Sequence, residues 1–578
     1  LLNYHLGIHY GHNATVAVVE SGKLVFCQSE ERLNRIKNST GFPVKTLEYV
    51  YKHICNPGQV ASATLFQESN LGYLFLKNHG FEPFQYGYTL SPEAKDGGLL
   101  SHLELGWKLS QWRAKEVREK DIALESEATS YFAKALQVDI SRIHTVKHHF
   151  SHAFSAVPNI KDWNVGLVFT LDGAGDYISG TVSKWDGEKL DLLQMTDHRN
   201  SLGYLYSATT AVMGMKSGEH EFKVMGLAPY AKREYYLPIL EKLTRLMWLD
   251  NKGEIVARFP PTALTRELEK IYRFQRFDSI AGAIQEFTEQ IILGWVEFWM
   301  LKTEINNVAV SGGVFMNVKA CQKLRSSENI EKMFVVPSAA DESTAIGAAF
   351  ATSVKLEGET PIQPIKDLYL GREYSEPEID ACFKDKKVSD RYQITRPKNI
   401  NHTVARMLSE NNVVARFSGR MEFGARALGN RSILANPNSF RNVEIINSAI
   451  KSRDFWMPFT PSVLEGDMPR YIVDYNKIHA PYMCITFDTT EEARNDLPAA
   501  IHPRDNTARP QCVIKSWNSE YYDLIEEFKK LTGIGAVLNT SFNLHGEPNV
   551  CSPDDAIHTI DSSGLKYLAI GPYLLTKK

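Results

Sequence analysis

Apolar and polar positions at the start of the chain fall into short runs between glycine-containing turns: "YHLGIHYGH" from Tyr4, "NATVAVVE" from Asn13, the turn "SGK", then "LVFCQSEE" from Leu24. β-Branched and aromatic residues between such turns predict an antiparallel hairpin or meander. The pattern returns at Val165 as "VGLVFTLDGAGD", "YISGTVSKW", the turn "DGEK" and "LDLLQM". Two strand-turn-strand units, with helical stretches such as "EATSYFAKALQ" between them, predict an internally duplicated α/β domain. Long helical patterns follow near 264–302. After it come a buried strand, "NVAVSGG", and "FVVPSAADESTAIGAAFATSV", a strand running into a small-residue helix.

Proline, glycine and charge interrupt the periodicity across 355–379, which reads as a connecting segment. A second α/β pattern starts near Asn401. It comprises a helix in "VARMLSENN", a strand in "VVARFSG", a basic glycine-rich loop, "NVEIINSAIKSR", and strands in "APYMCITFD", "QCVIK" and "IGAVLNTSF", with the helix "EYYDLIEEFKKLTG" among them. The expectation is two unequal α/β domains, 1–360 and 361–578, which suits a chain of 578 residues.

Composition narrows the class of partner. The chain is 43% hydrophobic and 23% charged, that of a folded globular protein. A formal net charge of −3 gives no basic footprint for nucleic acid. No apolar run reaches the roughly 18 residues of a membrane span. Seven scattered cysteines without a C-x-x-C pair favour reduced thiols in a cytoplasmic protein. The first residues read as a strand and not as a signal peptide.

Candidate chemistry begins at "VKHHFSHAFSA". On a helix, His148 and His152 project from one face at a spacing that lets two imidazoles share a metal ion; His149 and His152 do so less squarely. An amphipathic helix with packed histidines is the plainer alternative. In "LDGAGD", Asp172 and Asp176 offer hard oxygen ligands at a tight Gly173/Gly175 turn that also suits an ordinary hairpin. "SGGVFMNV" sends a buried strand into Gly312 and Gly313, either to admit a nucleotide against bare backbone or simply to turn. Asp341 stands at a helix start, as an N-cap or as the ligand that completes an N/N/O/O set with His148, His152 and Asp172.

Taken in order, these stretches resemble the NodU/CmcH family of O-carbamoyltransferases over nearly the whole chain. Carrying the resemblance are "GIHYGHNATVAVVESGKLVFCQSEERLNRIKNSTGFP", "HHFSHAFSA", "TLDGAGD", "GEHEFKVMGLAPYA", "SGGVFMNV", "AADESTAIGAA", "EFGARALGNRSILANP", "IKSRDFWMPFTPSVL", "NTARPQ" and "NTSFNLHGEP". The resemblance implies an N-terminal domain of the actin-like ATPase superfold, akin to tRNA threonylcarbamoyl-transferases, and a C-terminal YrdC-like domain. It implies that carbamoyl phosphate and ATP, with Mg2+, give carbamoyl-adenylate in the second domain, and that the first passes the carbamoyl group to a small-molecule hydroxyl. Family acceptors include sugars, antibiotics and alkaloid toxins.

By the same resemblance His148, His152, Asp172 and Asp341 hold a divalent transition metal, Fe2+ foremost. Gly312, Gly313 and Asn317 hold the adenylate, and Lys37 meets the anionic intermediate. His12 is the candidate general base. Glu219 and Lys223 lie in a family segment without assigned partners. For the anions of carbamoyl phosphate and ATP the candidates are Arg426, Arg431, Lys451, Arg453 and Arg509, guanidinium and ammonium being suited to phosphate, with Asn543 beside them. His545 stands where the family often has Arg, and binds phosphate less reliably at neutral pH. The alternatives are a fused threonylcarbamoyl-type tRNA-modifying enzyme, which predicts a basic face, and an actin-like kinase or scaffold, which leaves the second domain's basic set without a task.

Overall fold

A computed structural model describes residues 3–67, 84–85, 126–358, 361–475, 478 and 480–578. The chain divides into two units, Leu1–Ile365 and Lys366–Lys578.

The first unit is built twice over. One five-stranded sheet runs Lys23–Ser29, Thr15–Glu20, Tyr4–His9, Val60–Gln67, Ile143–Lys147. The other runs Leu190–Asp197, Ile178–Trp185, Gly166–Gly175, Asn307–Ser311, Lys332–Val335. In both, the first three strands form an antiparallel meander and the last two add in parallel beside the first strand. That shared order is the duplicated actin-like arrangement, and it explains the repeated sequence pattern.

The strands Tyr4–His9 and Thr15–Glu20 of the first sheet are buried on both faces, so they read as apolar runs and not as strict alternation. On one face Leu6, Ile8, Val16, Val18 and Phe26 form a core with Leu47 and Val50 of the Val44–His53 helix and with Phe132 and Leu136 of helix 126–136. Side chains of this size each contribute about 1.5–3 kcal/mol on burial, enough to hold the strand ends rigidly. The other face is covered by the Glu342–Glu357 helix, which follows the last strand of the second sheet. Its run of Ala, Gly, Ser and Thr lets it also lie close to the short His148–Phe154 helix, which follows the last strand of the first sheet. The two halves are thereby interlocked.

The second unit carries one mixed eight-stranded sheet in the order Tyr392–Thr395, Tyr573–Lys577, Tyr567–Ile570, Val414–Phe417, Arg431–Ala435, Ala536–Ser541, Thr460–Leu464, Gln511–Val513. The Ile400–Ser409 and Ser519–Thr532 helices pack on each other beside it.

The helical patterns near 264–302 are two helices, Pro261–Tyr272 and Phe277–Thr303, parted where Phe274 takes a φ of 61°. Two elements differ from expectation. "APYMCITFD" pairs only at Phe487–Asp488, because Pro481 lacks an N–H and Met483 has a φ of 56°. The connecting segment 355–379 already contains the start of a helix, Glu376–Asp385, begun by a Ser375/Glu378 capping box, while 359–360 lie outside the described residues. All seven cysteines are free thiols, and no described helix is long and apolar enough to cross a membrane.

Candidate metal centre and anion site

The duplication sets where chemistry can gather. His148 follows the last strand of the first sheet, and Asp341 follows the last strand of the second. His9 ends the first strand of one sheet, and Asp172 lies near the end of its counterpart in the other. The ends of equivalent strands therefore converge at one point inside the first unit.

There, ligand atoms of His148, His152, Asp172 and Asp341 all lie within 4.8 Å of one another. The two Nε2 atoms are 3.1 Å apart, each is 3.3 Å from Asp172 Oδ2, and Asp341 Oδ1 is 3.6 Å from His148 and 3.4 Å from His152. Metal–ligand bonds of about 2.0–2.2 Å in a tetrahedral arrangement put ligand atoms roughly 3.3–3.6 Å apart. The four histidine–aspartate spacings fall in that window and the two Nε2 atoms lie slightly inside it; two imidazoles with two carboxylates suit a borderline divalent metal. His152 Nδ1 faces Ser343 Oγ at 3.2 Å, so an Nδ1 proton leaves the Nε2 lone pair for the cage.

Local structure explains each ligand's position. Asp341 occupies the N-cap of the Glu342–Glu357 helix but makes no capping hydrogen bond; its side chain is turned to the histidines instead. Asp176 does cap, from another element: its Oδ2 accepts from His148 N at 2.8 Å. Gly175 leaves room for the His148 ring, which a Cβ there would meet at 2.2 Å. His149 is not in the cage, since its two nitrogens face Thr170 Oγ1 at 2.8 Å and Ile178 O at 3.0 Å.

Charge and burial compete here. Burial and the Asp341 carboxylate push Asp172 upward, but hydrogen bonds with His148 and His152 outweigh them and leave it below the ordinary carboxylate value. Burial likewise opposes ionisation of Asp341, and the nearby His12 and His148 imidazoles overcome it, holding Asp341 well below that value. His12 Nε2 is 3.0 Å from Asp341 Oδ2, and its side chain is 40% exposed, so it links the cage to solvent.

Around the cage the other candidates separate. Gly312 has a φ of 98°, and Gly313 lies so close to Asp172 that a Cβ would meet Oδ1 at 2.8 Å. Asn317 caps the Val318–Arg325 helix through Ala320 N and pairs its amide with Gln285. Lys37 falls in a basic group with Lys216 and Lys223 around His220. Glu219 sits within it, accepting from Asn38 Nδ2 at 2.8 Å and Lys216 Nζ at 2.7 Å.

In the second unit, Arg426, Arg453 and Arg509 act on one another through their charges, and Arg426 and Arg509 also act on the Cys484 thiol. Burial, then the charges of Arg426 and Arg453, hold Arg509 well below the usual guanidinium value. Burial and Arg426 lower Arg453 to about 10. Arg453 donates to Thr540 Oγ1 at 2.9 Å and lies 4.7 Å over the Phe459 ring. Lys451 Nζ donates to Asn543 Oδ1 at 2.7 Å and Ser541 Oγ at 3.1 Å, at the end of the Ala536–Ser541 strand. His545 turns its Nδ1 to Lys451 O at 3.0 Å. Arg431 is elsewhere: it is fully buried, donates to Ser418 O, Gly419 O and Asn430 O, and lies over Phe417 at 3.7 Å. The mutual repulsion of Arg509 with Arg426 and Arg453 is of the kind that a bound anion would relieve.

Family comparison agrees with this two-part layout. The family described as Carbamoyltransferase N-terminus matches residues 4–350, and Carbamoyltransferase C-terminus matches residues 405–577. The chain belongs to the carbamoyltransferase family. The nodulation protein NolNO of Sinorhizobium fredii (strain NBRC 101917 / NGR234) is 31% identical over 98% of this chain and 79% of that one. An uncharacterised protein of Methanocaldococcus jannaschii is 28% identical over 99% of each. Full-length HypF in its phosphate- and nucleotide-bound form is a more distant structural likeness. It has 13% identity and a TM-score of 0.37, covering 62% of this chain and 47% of that one.

Sequence reasoning passed over one residue of this carbamoyltransferase. His9 Nε2 lies 3.9 Å from Asp341 Oδ2 and 2.8 Å from His12 O, its Nδ1 lies 2.8 Å from Thr344 Oγ1, and its ring stacks on Phe66 at 4.2 Å. Burial drives this imidazole down to about 3, so it is a neutral ring whose Nε2–H is donated to His12 O. A polar residue at the end of an otherwise apolar strand was its only signal.

Proposed function

We propose that the protein is an ATP-dependent O-carbamoyltransferase that works in two steps, one per unit. In the second unit, carbamoyl phosphate, ATP and water give carbamoyl-adenylate, pyrophosphate and orthophosphate; the water balances the release of orthophosphate. In the first unit a small-molecule hydroxyl attacks the carbamoyl carbon, giving a carbamate ester and AMP. The single observation that carries this reading is the separation of two unlike sites, a four-donor cage in one unit and a guanidinium set in the other.

Arg426, Arg453, Arg509 and Lys451 neutralise the phosphates so that two anionic substrates meet. Asn543 and Ser541 orient the Lys451 ammonium. In the first unit the Gly312–Gly313 turn and the ammonium of Lys37 hold the adenylate. His12 takes the hydroxyl proton on Nδ1, its Nε2–H being donated to Asp341 Oδ2 at 3.0 Å, and the Asp341 carboxylate stabilises the imidazolium that forms. His148, His152, Asp172 and Asp341 hold a divalent metal, iron(II) by family resemblance, which when bound supplies Lewis-acid polarisation of an acyl or phosphoryl oxygen.

The test is to incubate the purified protein with ATP and carbamoyl phosphate, without acceptor. Carbamoyl-adenylate detected by mass and pyrophosphate dependent on both substrates support the reading. Conversion of ATP to ADP and orthophosphate, independent of carbamoyl phosphate, would refute it.

A further inference from the structure

An unusual turn lies between the cations of the second unit. After Lys451 and Arg453 the chain reverses through Asp454–Met457, closed by Met457 N donating to Asp454 O at 3.0 Å. Its two corner residues are Phe455 and Trp456. Glycine, proline, asparagine, aspartate and serine are the usual residues at such corners, for their backbone conformations and side-chain hydrogen bonds. Here two aromatic rings meet edge to face, 5.0 Å between centroids, with Phe455 73% exposed.

A lone exposed ring needs no explanation, but this pair is tied to the anion site by its stem. Arg453 Nη1 donates to Pro458 O at 3.3 Å, across the base of the turn, while its Nη2 donates to Thr540 Oγ1 at 2.9 Å. The guanidinium that meets phosphate therefore also fixes the loop that displays the rings. Nucleotides combine those two features, a polyanion and a flat base within one molecule, and aromatic side chains are good stacking partners for any base.

The geometry points to Phe455 and Trp456 as a stacking platform for the purine of the nucleotide whose phosphates meet Arg453. This rests on the reading that the second unit consumes ATP. A lone carbamoyl phosphate has no flat ring and gains nothing from the platform.

Full-length wild-type protein, Phe455→Ala, Phe455→Trp and Trp456→Ala are compared by pyrophosphate release, varying ATP and carbamoyl phosphate separately. Phe455→Ala raises the KM for ATP about ten- to a hundredfold and leaves that for carbamoyl phosphate unchanged; Phe455→Trp restores the ATP value. An unchanged KM for ATP in Phe455→Ala and Trp456→Ala overturns the platform while leaving the two-step reading intact. A rise in the KM for the hydroxyl acceptor in place of ATP overturns it too. Absence of pyrophosphate release in the wild type overturns the two-step reading and the platform with it. Should Trp456→Ala fail to fold, Phe455→Ala alone decides.

Discussion

Replacing Gly175 by alanine should empty the metal cage without touching a ligand. The added Cβ would stand 2.2 Å from both Cγ and Cδ2 of His148 and 2.8 Å from its Cβ. Carbon atoms pack at about 3.5–4.0 Å, so the ring must retreat by roughly 1.3–1.8 Å. It has little room, being fully buried and edge-on to Phe66 at 5.7 Å. Metal sites tolerate ligand shifts of only about 0.2 Å, so the displaced imidazole no longer completes the cage. Overpacking of this kind costs about 1–3 kcal/mol of stability, and misplacement by an ångström can cost about a hundredfold in rate. The assay is elemental analysis of the purified variant, then carbamoyl transfer from supplied carbamoyl-adenylate, with circular dichroism as the check on folding. Pyrophosphate release should persist if, as proposed, adenylate formation belongs to the second unit. A folded variant with wild-type metal content and transfer would refute the argument that His148 is a ligand held by the absence of a side chain at 175.

Asp176→Ala removes the acceptor for His148 N and frees the start of that helix; metal affinity should fall about ten- to a hundredfold, measured by competition with a chelator, and activity should return in excess metal. Arg509→Met removes one of three mutually repelling guanidiniums. The anion-free variant should melt no lower than wild type, while the rise in melting temperature that added orthophosphate gives the wild type should shrink; an undiminished rise would place the anion elsewhere.

How far the sequence disclosed this site depended on sequence separation. The His148/His152 pair was visible because helix geometry places i and i+4 on one face. The duplicated meanders were visible because each is a local pattern. Asp341 was ambiguous, since an aspartate opening a helix looks the same whether it caps or ligates; only the packing of the Glu342–Glu357 helix against the first sheet turns it toward the histidines. His9 escaped notice because its partners Thr344 and Asp341 lie more than three hundred residues further on. In the glycine-rich loop of the second unit, Arg426 and Arg431 looked alike. The structure sends one to the guanidinium set and uses the other to brace backbone carbonyls, and composition carries no information on which way each side chain faces. Asp176 looked like a ligand and serves as a cap, because a φ of 53° at the hairpin tip turns it toward His148 N.

The division of labour between the two units is tested most directly by following pyrophosphate release and carbamoylated product side by side in Arg509→Ala and His152→Ala. The account predicts opposite failures. Arg509→Ala releases no pyrophosphate, yet transfers carbamoyl from carbamoyl-adenylate supplied to it. His152→Ala consumes ATP and carbamoyl phosphate and releases pyrophosphate, yet forms no carbamoylated product. Equal loss of both activities in both folded variants would contradict the account and require a single composite site.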